Sequence, residues 1–210
     1  MGKTRLSREL EQSVTASATV LHTACDRSGA ATFAPLVDLL RPALGLVDGA
    51  DEVATRAALA GIVPVEEAER ERIVDGLAGI VGVGEARSTE ETFWAVRRLI
   101  ESLAAAQPLV LVVDDIQWGE SLLLDLLDHL AEWVADAAVL VMCLARPELR
   151  DVRPAMAEPG RRMAEVIALE GLDASATAQL AAQMLGGDGL PAELLARLPA
   201  STDGLSLIHI

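Results

Sequence analysis

The chain has 210 residues, with 17 basic and 32 acidic side chains, a formal net charge of −15 and a pI of about 4.5. This acidity argues against general electrostatic binding of nucleic acid, and a composition that is 51% hydrophobic and 23% charged excludes a disordered chain. The longest apolar run, residues 137–145, is shorter than the roughly 20 residues that span a bilayer. Two cysteines are too few for a disulfide framework. With no signal-peptide pattern, we expect a cytoplasmic protein without membrane contact.

Four mainly apolar runs predict strands, at residues 18–24, 109–113, 139–145 and 166–169. Continuous apolar runs, rather than alternating ones, are typical of strands that are covered on both faces of a parallel sheet. Helical patterns lie between the runs. Alternation of strands and helices predicts an α/β domain with right-handed crossovers.

Two of the helical patterns have clear starts. Ser88 and Glu91 have the spacing of a capping box, and an apolar stripe of helical period follows them. A second helix is predicted to begin at Glu120 or Ser121, with leucines on its inward face. Both helices are therefore expected to pack against the sheet.

The remaining segments are assigned by pattern as well. Helices are predicted over residues 34–44 and 65–81, and a linker with glycine and aspartate over residues 46–55. After residue 169 only helices are expected, the first capped by Asp173 and ending at Leu185.

The tripeptide Gly2-Lys3-Thr4 opens a predicted amphipathic helix and matches the end of the phosphate-loop pattern. In such a loop, helix-start N–H groups face an anion, the lysine places its charge on the β- and γ-phosphates, and the threonine hydroxyl is a ligand to Mg²⁺. Lys3 is the only lysine in a chain whose other bases are arginine, which favours a specific role. The tripeptide alone also fits an accidental occurrence.

Two acids, Asp114 and Asp115, close the apolar run at residues 109–113. A buried strand delivers such carboxylates to the carboxyl end of the sheet, where α/β proteins bind their ligands. Asp114 would hold Mg²⁺, directly or through water, and Asp115 could polarise the attacking water. The alternative is that both acids serve only the turn that follows the strand.

Arg146 follows the next apolar run and precedes Pro147. At the carboxyl end of a strand beside the acid-bearing strand, an arginine can reach a γ-phosphate and report its presence. A surface arginine before a loop is the alternative. Gln117 could orient water near the γ-phosphate or serve only a turn. The three elements together, in this chain order, favour a nucleotide site.

The runs Gly-Lys-Thr-Arg-Leu, Val-Val-Asp-Asp-Ile-Gln-Trp-Gly-Glu and Leu-Ala-Arg-Pro-Glu-Leu resemble the AAA-type ATPase module of bacterial signalling ATPases of the STAND class (signal-transduction ATPases with numerous domains). The resemblance extends from Gly2 to about Gly204. It implies contacts to phosphate for Gly2, Lys3 and Thr4, contacts to Mg²⁺ for Thr4 and Asp114, and catalytic roles for Asp115 and Arg146.

The resemblance also implies a P-loop NTPase-like fold, with at least four strands in a mainly parallel sheet flanked by helices. Asp114 and Arg146 would lie at the same edge. The chain would divide into a truncated P-loop core over residues 1–171 and the start of a helical lid over residues 172–204. The family has a first strand and an earlier loop glycine before the Gly2 position, so we expect a fragment that is truncated at both ends and inactive by itself. Residues 205–210 look like a translated sequencing adapter, with a natural apolar tail as the alternative.

The resemblance implies a full-length protein that binds ATP or ADP with Mg²⁺ and hydrolyses ATP as a switch in a bacterial regulator. Its partners would be other domains of the same chain, such as a cyclase, TPR-like or helix-turn-helix domain, as in large LuxR-type regulators. The alternative is a scaffold or nucleotide-binding module without hydrolysis. Asp115 is shorter than a glutamate, and the sequence does not establish that its carboxylate reaches the attacking water. Phosphate release, compared with nucleotide retention, separates these two functions.

Overall fold

The computed structural model describes residues 2–27, 32–45, 51–63, 66–134, 136–157, 164–171, 173, 175–176 and 179. The chain divides into two compact units. One unit is formed by Glu9–Val166, and the other by Met1–Arg8 together with Ile167–Ile210. The sheet belongs to the first of these units.

Three parallel strands form this sheet, in the order β1 (Thr19–Ala24), β2 (Leu109–Asp114) and β3 (Val139–Cys143). Leu109 is paired with Thr19 on one side and with Val139 on the other, so the three strands start at the same level. All six residues of β2 are buried, because this apolar strand has neighbours on both edges and packing on both faces. The carboxyl ends of the strands consequently meet at one edge of the sheet.

The helices are α1 (Lys3–Val14), α2 (Ala34–Leu44), α3 (Glu52–Ile62), α4 (Glu67–Ile80), α5 (Thr89–Ala106), α6 (Ser121–Trp133) and α7 (Leu149–Val152), with short 3-10 helices at Ile116–Trp118 and Pro154–Ala157. The predicted capping box of α5 is present: Ser88 Oγ accepts from the backbone N of Glu91 at 3.3 Å, and Glu91 Oε2 accepts from the backbone N of Ser88 at 3.3 Å. Such a box satisfies two donors that the helix start would otherwise leave unpaired.

The main core lies between one face of the sheet and helices α2 to α6. Its fully buried members include Leu59, Ile73, Leu99, Ile100, Leu111, Leu124 and Leu126. A smaller cluster of Ala18, Val110 and Val112 covers the opposite face. Helices α4 and α5 approach closely at Gly76, where an added Cβ would lie 2.5 Å from Cβ of Ala95.

The structure confirms the α/β class and the parallel arrangement of the sheet, which fit a P-loop NTPase-like fold. It also confirms the helix at residues 34–44 and the start of α6 after Glu120. The strand predicted at residues 139–145 ends at Cys143, and Leu140 is 50% exposed. In the described sheet β3 is an outer strand, so its side chains have a strand neighbour on one side only.

Two predictions from the sequence are wrong. Residues 166–169 form no strand within the described segment 164–171, and Ile167 is 75% exposed, so the described sheet has three strands instead of four or more. An apolar run becomes a strand only where another strand supplies partners for its backbone. The predicted linker at residues 46–55 is too long, because Asp51 Oδ1 accepts from the backbone N of Ala54 at 2.8 Å and caps α3.

The described part of the second unit includes the predicted helix start near residue 173. Asp173 Oδ1 accepts a hydrogen bond from the backbone N of Ala176 at 2.7 Å, which agrees with a capping role. The rest of that predicted helix and residues 205–210 lie outside the described residues, and the predicted division after residue 171 stays a prediction. Where the chain is described, it contains no helix with the length and apolar character needed to cross a membrane.

Candidate functional site

The segments that leave β2 and β3 run side by side at the carboxyl edge of the sheet. The backbone N of Leu144 donates to the carbonyl of Val113 at 2.9 Å, and the backbone N of Ile116 donates to the carbonyl of Leu144 at 3.1 Å. These two bonds continue the strand pairing beyond the sheet. They bring Asp114 and Asp115 close to Arg146, as the sequence predicts.

Asp114 is the last residue of β2 and is only 9% exposed. Its Oδ1 accepts a hydrogen bond from the backbone N of Asp115 at 2.7 Å. Its backbone carbonyl accepts from the backbone N of Cys25, at the end of β1, at 2.9 Å. The carboxylate is therefore held at a defined position where the central strand ends.

Asp115 has a left-handed backbone, with φ of 54° and ψ of 40°, and no other non-glycine residue of the described chain has a positive φ. Aspartate and asparagine tolerate this conformation better than other L-residues because their short polar side chains bond locally. The carboxylate does so here: Gln117 Nε2 donates to Asp115 Oδ1 at 2.8 Å. The left-handed residue turns the chain from β2 into the 3-10 helix that carries Gln117.

Arg146 lies opposite Asp115 across the two strand ends. Its Nε is 3.6 Å from Asp115 Oδ1, and both side chains are partly exposed. Its backbone N donates to Gln117 Oε1 at 3.0 Å. The guanidinium therefore lies at the surface of this edge, where it is accessible to a further anionic partner.

Gln117 is the member of this group whose position the sequence did not predict. The side chain is 9% exposed and contacts both Asp115 and Arg146. A turn role and a water-orienting role were the two alternatives, and the structure shows a bridge between two segments. The one signal in the sequence is that Gln117 lies two residues after Asp115 in a turn, where side chains commonly bond back to the chain.

The segment that follows β1 lies beside the same turn. The Arg27 guanidinium carbon is 4.2 Å from the centroid of the Trp118 ring, a cation–π contact. The Thr32 hydroxyl donates to the carboxylate of Glu120. Burial, and next the negative charge of Asp115, raises the pKa of the Cys25 thiol to about 11. This shift disfavours the thiolate, which is the nucleophilic form of cysteine.

Gly2, Lys3 and Thr4 lie at the start of α1, in the unit that contains Met1–Arg8. The carbonyl of Gly2 accepts from the backbone N of Leu6 at 2.8 Å, which is the first bond of the helix. The helix that the sequence predicts to open at these residues is therefore present. Their contact with phosphates stays a prediction.

The donor set at the strand ends is compatible with Mg²⁺, although the described residues contain no group of three or more His, Cys, Asp or Glu that could hold a metal. Mg²⁺ is a hard cation that usually keeps several waters and is held by one or two carboxylates together with phosphate oxygens. A single buried carboxylate such as that of Asp114 fits this mode of binding. It does not fit a structural zinc site, which needs four protein ligands.

A family model for the AAA ATPase domain matches residues 1–142. The matched segment contains Lys3, Thr4, Asp114 and Asp115, and it ends before Arg146. No curated protein matches the chain.

Proposed function

The chain belongs to the AAA ATPase domain family, and on this premise we propose that it binds ATP with Mg²⁺ and hydrolyses the bond between the β- and γ-phosphates. Membership of the family makes the chain a nucleotide-binding module. The finer proposal, Mg²⁺-dependent hydrolysis, is supported by one observation above all. Asp114, Asp115 and Arg146 lie together at the carboxyl edge of the sheet.

Each of these side chains has a distinct proposed role. Asp114 holds Mg²⁺, directly or through water, and the metal neutralises charge on the phosphates when it is bound. Asp115 accepts a proton from the attacking water, whose oxygen forms the new bond to the γ-phosphorus as ADP leaves. Arg146 binds the γ-phosphate, because a guanidinium matches the geometry of phosphate oxygens.

The start of α1 supplies the remaining proposed contacts. Lys3 would place its ammonium on the β- and γ-phosphates, and Thr4 would offer its hydroxyl to Mg²⁺. The backbone N–H groups after Gly2 would face the phosphate oxygens, since helix starts favour anions. These roles rest on the sequence pattern and on the family match that includes these residues.

The proposed biological role is that of a switch in a bacterial signalling or transcriptional regulator of the cytoplasm. Contacts to a γ-phosphate are lost on hydrolysis, so they can set the arrangement of neighbouring domains. In this proposal residues 1–171 form the nucleotide-binding core and residues 172–204 begin a helical lid. The resemblance of the Asp-Asp-Ile-Gln-Trp and Ala-Arg-Pro-Glu runs to STAND-class regulators supports this context.

Two carboxylate-to-amide substitutions test the proposed chemistry in the full-length protein. Asp115→Asn should leave ATP affinity nearly unchanged and lower turnover by about 100-fold, because the amide cannot accept the proton. Asp114→Asn should abolish the stimulation of turnover by Mg²⁺, since a neutral amide is a poor ligand for a hard cation. Asp136→Asn, at an exposed carboxylate outside the site, is the matched control and should behave as the parent.

The measurements are phosphate release and ATP affinity by calorimetry. Parental turnover in Asp115→Asn would exclude Asp115 as the base. A parent that retains ATP but releases no phosphate would favour the binding-only alternative. That alternative has its own support, because Gln117 and Arg146 already contact the Asp115 carboxylate.

A further inference from the structure

One buried side chain connects the two residues to which we assign catalysis. Gln117 donates from Nε2 to Asp115 Oδ1 at 2.8 Å and accepts at Oε1 from the backbone N of Arg146 at 3.0 Å. It is only 9% exposed. Both contacts are partly buried, and a hydrogen bond to a charged group is stronger than one between neutral groups.

Each end of the Gln117 amide faces a partner of only one kind. The backbone N–H of Arg146 can only donate, so it must face the amide oxygen, and the ionised carboxylate of Asp115 can only accept, so it must face the NH₂ group. A reversed amide would bring two donors together at one end and two acceptors together at the other. Its partners therefore fix its orientation, and neither glutamate nor methionine can make both contacts.

The contacts to Asp115 fall on one of its two carboxylate oxygens. Gln117 Nε2 and Arg146 Nε lie 2.8 Å and 3.6 Å from Oδ1. Within the contacts described for this turn, Oδ2 is the oxygen that remains to accept a proton. The bridge therefore holds one oxygen of the Asp115 carboxylate and links its position to the backbone of Arg146.

We propose that Gln117 is a positioning residue for ATP hydrolysis, which holds Oδ1 of Asp115 and the backbone of Arg146 so that Oδ2 is presented to the attacking water. This inference rests on the proposed function. Because Gln117 touches no phosphate in this role, its loss should affect the chemical step more than nucleotide binding.

Two substitutions at Gln117 separate its contacts in the full-length protein. Gln117→Met has a similar size and removes both hydrogen bonds. Gln117→Glu keeps an acceptor for the backbone N of Arg146 and replaces the donor to Asp115 by a second carboxylate. Both variants should lower kcat by about tenfold or more and change the Kd for ATP by less than about threefold. Gln107→Met, at an exposed glutamine directly after α5, is the matched control and should retain the parental kcat.

A double-mutant cycle shows whether the effect passes through Asp115. In an Asp115→Asn background, Gln117→Met should cause little further loss of kcat, since the carboxylate that it positions is gone. An equal fold-loss in both backgrounds would overturn the proposal, and so would parental kcat in the Gln117 variants. If both Gln117 variants fail to fold while Gln107→Met folds, as judged by circular dichroism, the bridge is structural and the proposal is also overturned.

These outcomes differ from a failure of the proposed function. Absence of turnover in the parent, or parental turnover in Asp115→Asn, would defeat ATP hydrolysis at this site and with it the role of Gln117. A parent that turns over and an Asp115→Asn variant that does not, combined with unimpaired Gln117 variants, would defeat the positioning role alone.

Discussion

Arg146 Nε lies 3.6 Å from Asp115 Oδ1, across the carboxyl ends of two neighbouring parallel strands. Both side chains are partly exposed, and ion pairs of this kind contribute at most about 1 kcal/mol in water. A phosphate group offers a guanidinium two parallel charge-assisted hydrogen bonds, which are stronger. Exchange of the carboxylate for a γ-phosphate would therefore be favourable for Arg146.

Arg146→Ala should lower the affinity for ATP more than the affinity for ADP. Its proposed partner is the γ-phosphate, so affinity for ATP should fall by about tenfold while affinity for ADP changes by less than about threefold. Calorimetric titration of both nucleotides against the full-length protein measures this. Arg150→Ala, at an exposed arginine of α7, serves as control, and an equal loss of ATP and ADP affinity on removal of Arg146 would contradict the γ-phosphate contact.

Lys3→Ala should weaken nucleotide binding more than turnover at saturation. The proposed ammonium contact exists in the ground state and in the transition state alike, so its removal raises KM with a smaller effect on kcat. Steady-state phosphate release at increasing ATP separates the two constants. Lys3→Arg is the comparison variant, because it retains the charge but not the compact ammonium. A parental KM in Lys3→Ala would show that this lysine does not contact phosphate.

Two glycine-to-alanine substitutions should change stability in opposite directions. At Gly76 an added Cβ would lie 2.5 Å from Cβ of Ala95 and 3.3 Å from the carbonyl oxygen of Glu91, so Gly76→Ala must separate α4 from α5 and should lower the free energy of unfolding by about 1–3 kcal/mol. Gly61 lies in α3 with nothing within 4 Å of the added Cβ. Gly61→Ala should raise the free energy by up to about 1 kcal/mol, because alanine is the better helix former. Urea unfolding measures the change in the free energy of unfolding of both variants. A change of the same sign in both would exclude the close contact between α4 and α5.

Ionisation of the Cys25 thiol should make the protein less stable at alkaline pH. Burial first, and then the charges of Asp115, Asp26 and Asp114, raises its pKa from 9.0 to about 11. The folded state thus keeps a proton that the unfolded state releases, so this contribution to stability is complete below pH 9.0 and is lost as the pH rises toward about 11.

Alkylation of the thiol measures this shift. In a Cys143→Ala background, which leaves Cys25 as the only cysteine, the rate of reaction with iodoacetamide should stay low through about pH 9 and rise only above it. Asp115→Asn should lower the pKa of the thiol, because it removes one of the charges that raise it. A rate that follows an unshifted thiol would show that Cys25 is accessible.

The sequence predicted the elements whose signals are local. Five residues of β2 form a continuous apolar run that an acid follows, and the capping box of Ser88 and Glu91 marks the start of α5. Helix α3 was missed because the turn-forming residues before it suggested a linker, although Asp51 is a cap of the preferred type. The false strand at residues 166–169 shows the opposite error, since an apolar run contains no information about whether a pairing partner lies beside it.

The sequence predicted that Asp114, Asp115 and Arg146 lie at one edge of the sheet, but not the hydrogen bonds that connect this edge. Asp114, Asp115 and Arg146 follow from the rule that parallel strands present their carboxyl ends at one edge. The hydrogen bond from the backbone of Arg146 to Gln117 joins residues far apart in the chain. It depends on how the two segments that follow β2 and β3 pack against each other. No periodicity or spacing in the sequence encodes such a contact.

The left-handed backbone of Asp115 limits which amino acids can stand at this position. Aspartate, asparagine and glycine adopt that conformation at little cost, whereas a longer acid such as glutamate lacks the local hydrogen bond that compensates for it. Of the tolerated residues, only aspartate carries a charge. Asparagine is reached from an aspartate codon by a single base change. On the proposed function, an ATP-hydrolysing form of this module and a form that only retains nucleotide are therefore separated by one point mutation that leaves the fold undisturbed, so either activity is readily accessible to evolution from the other.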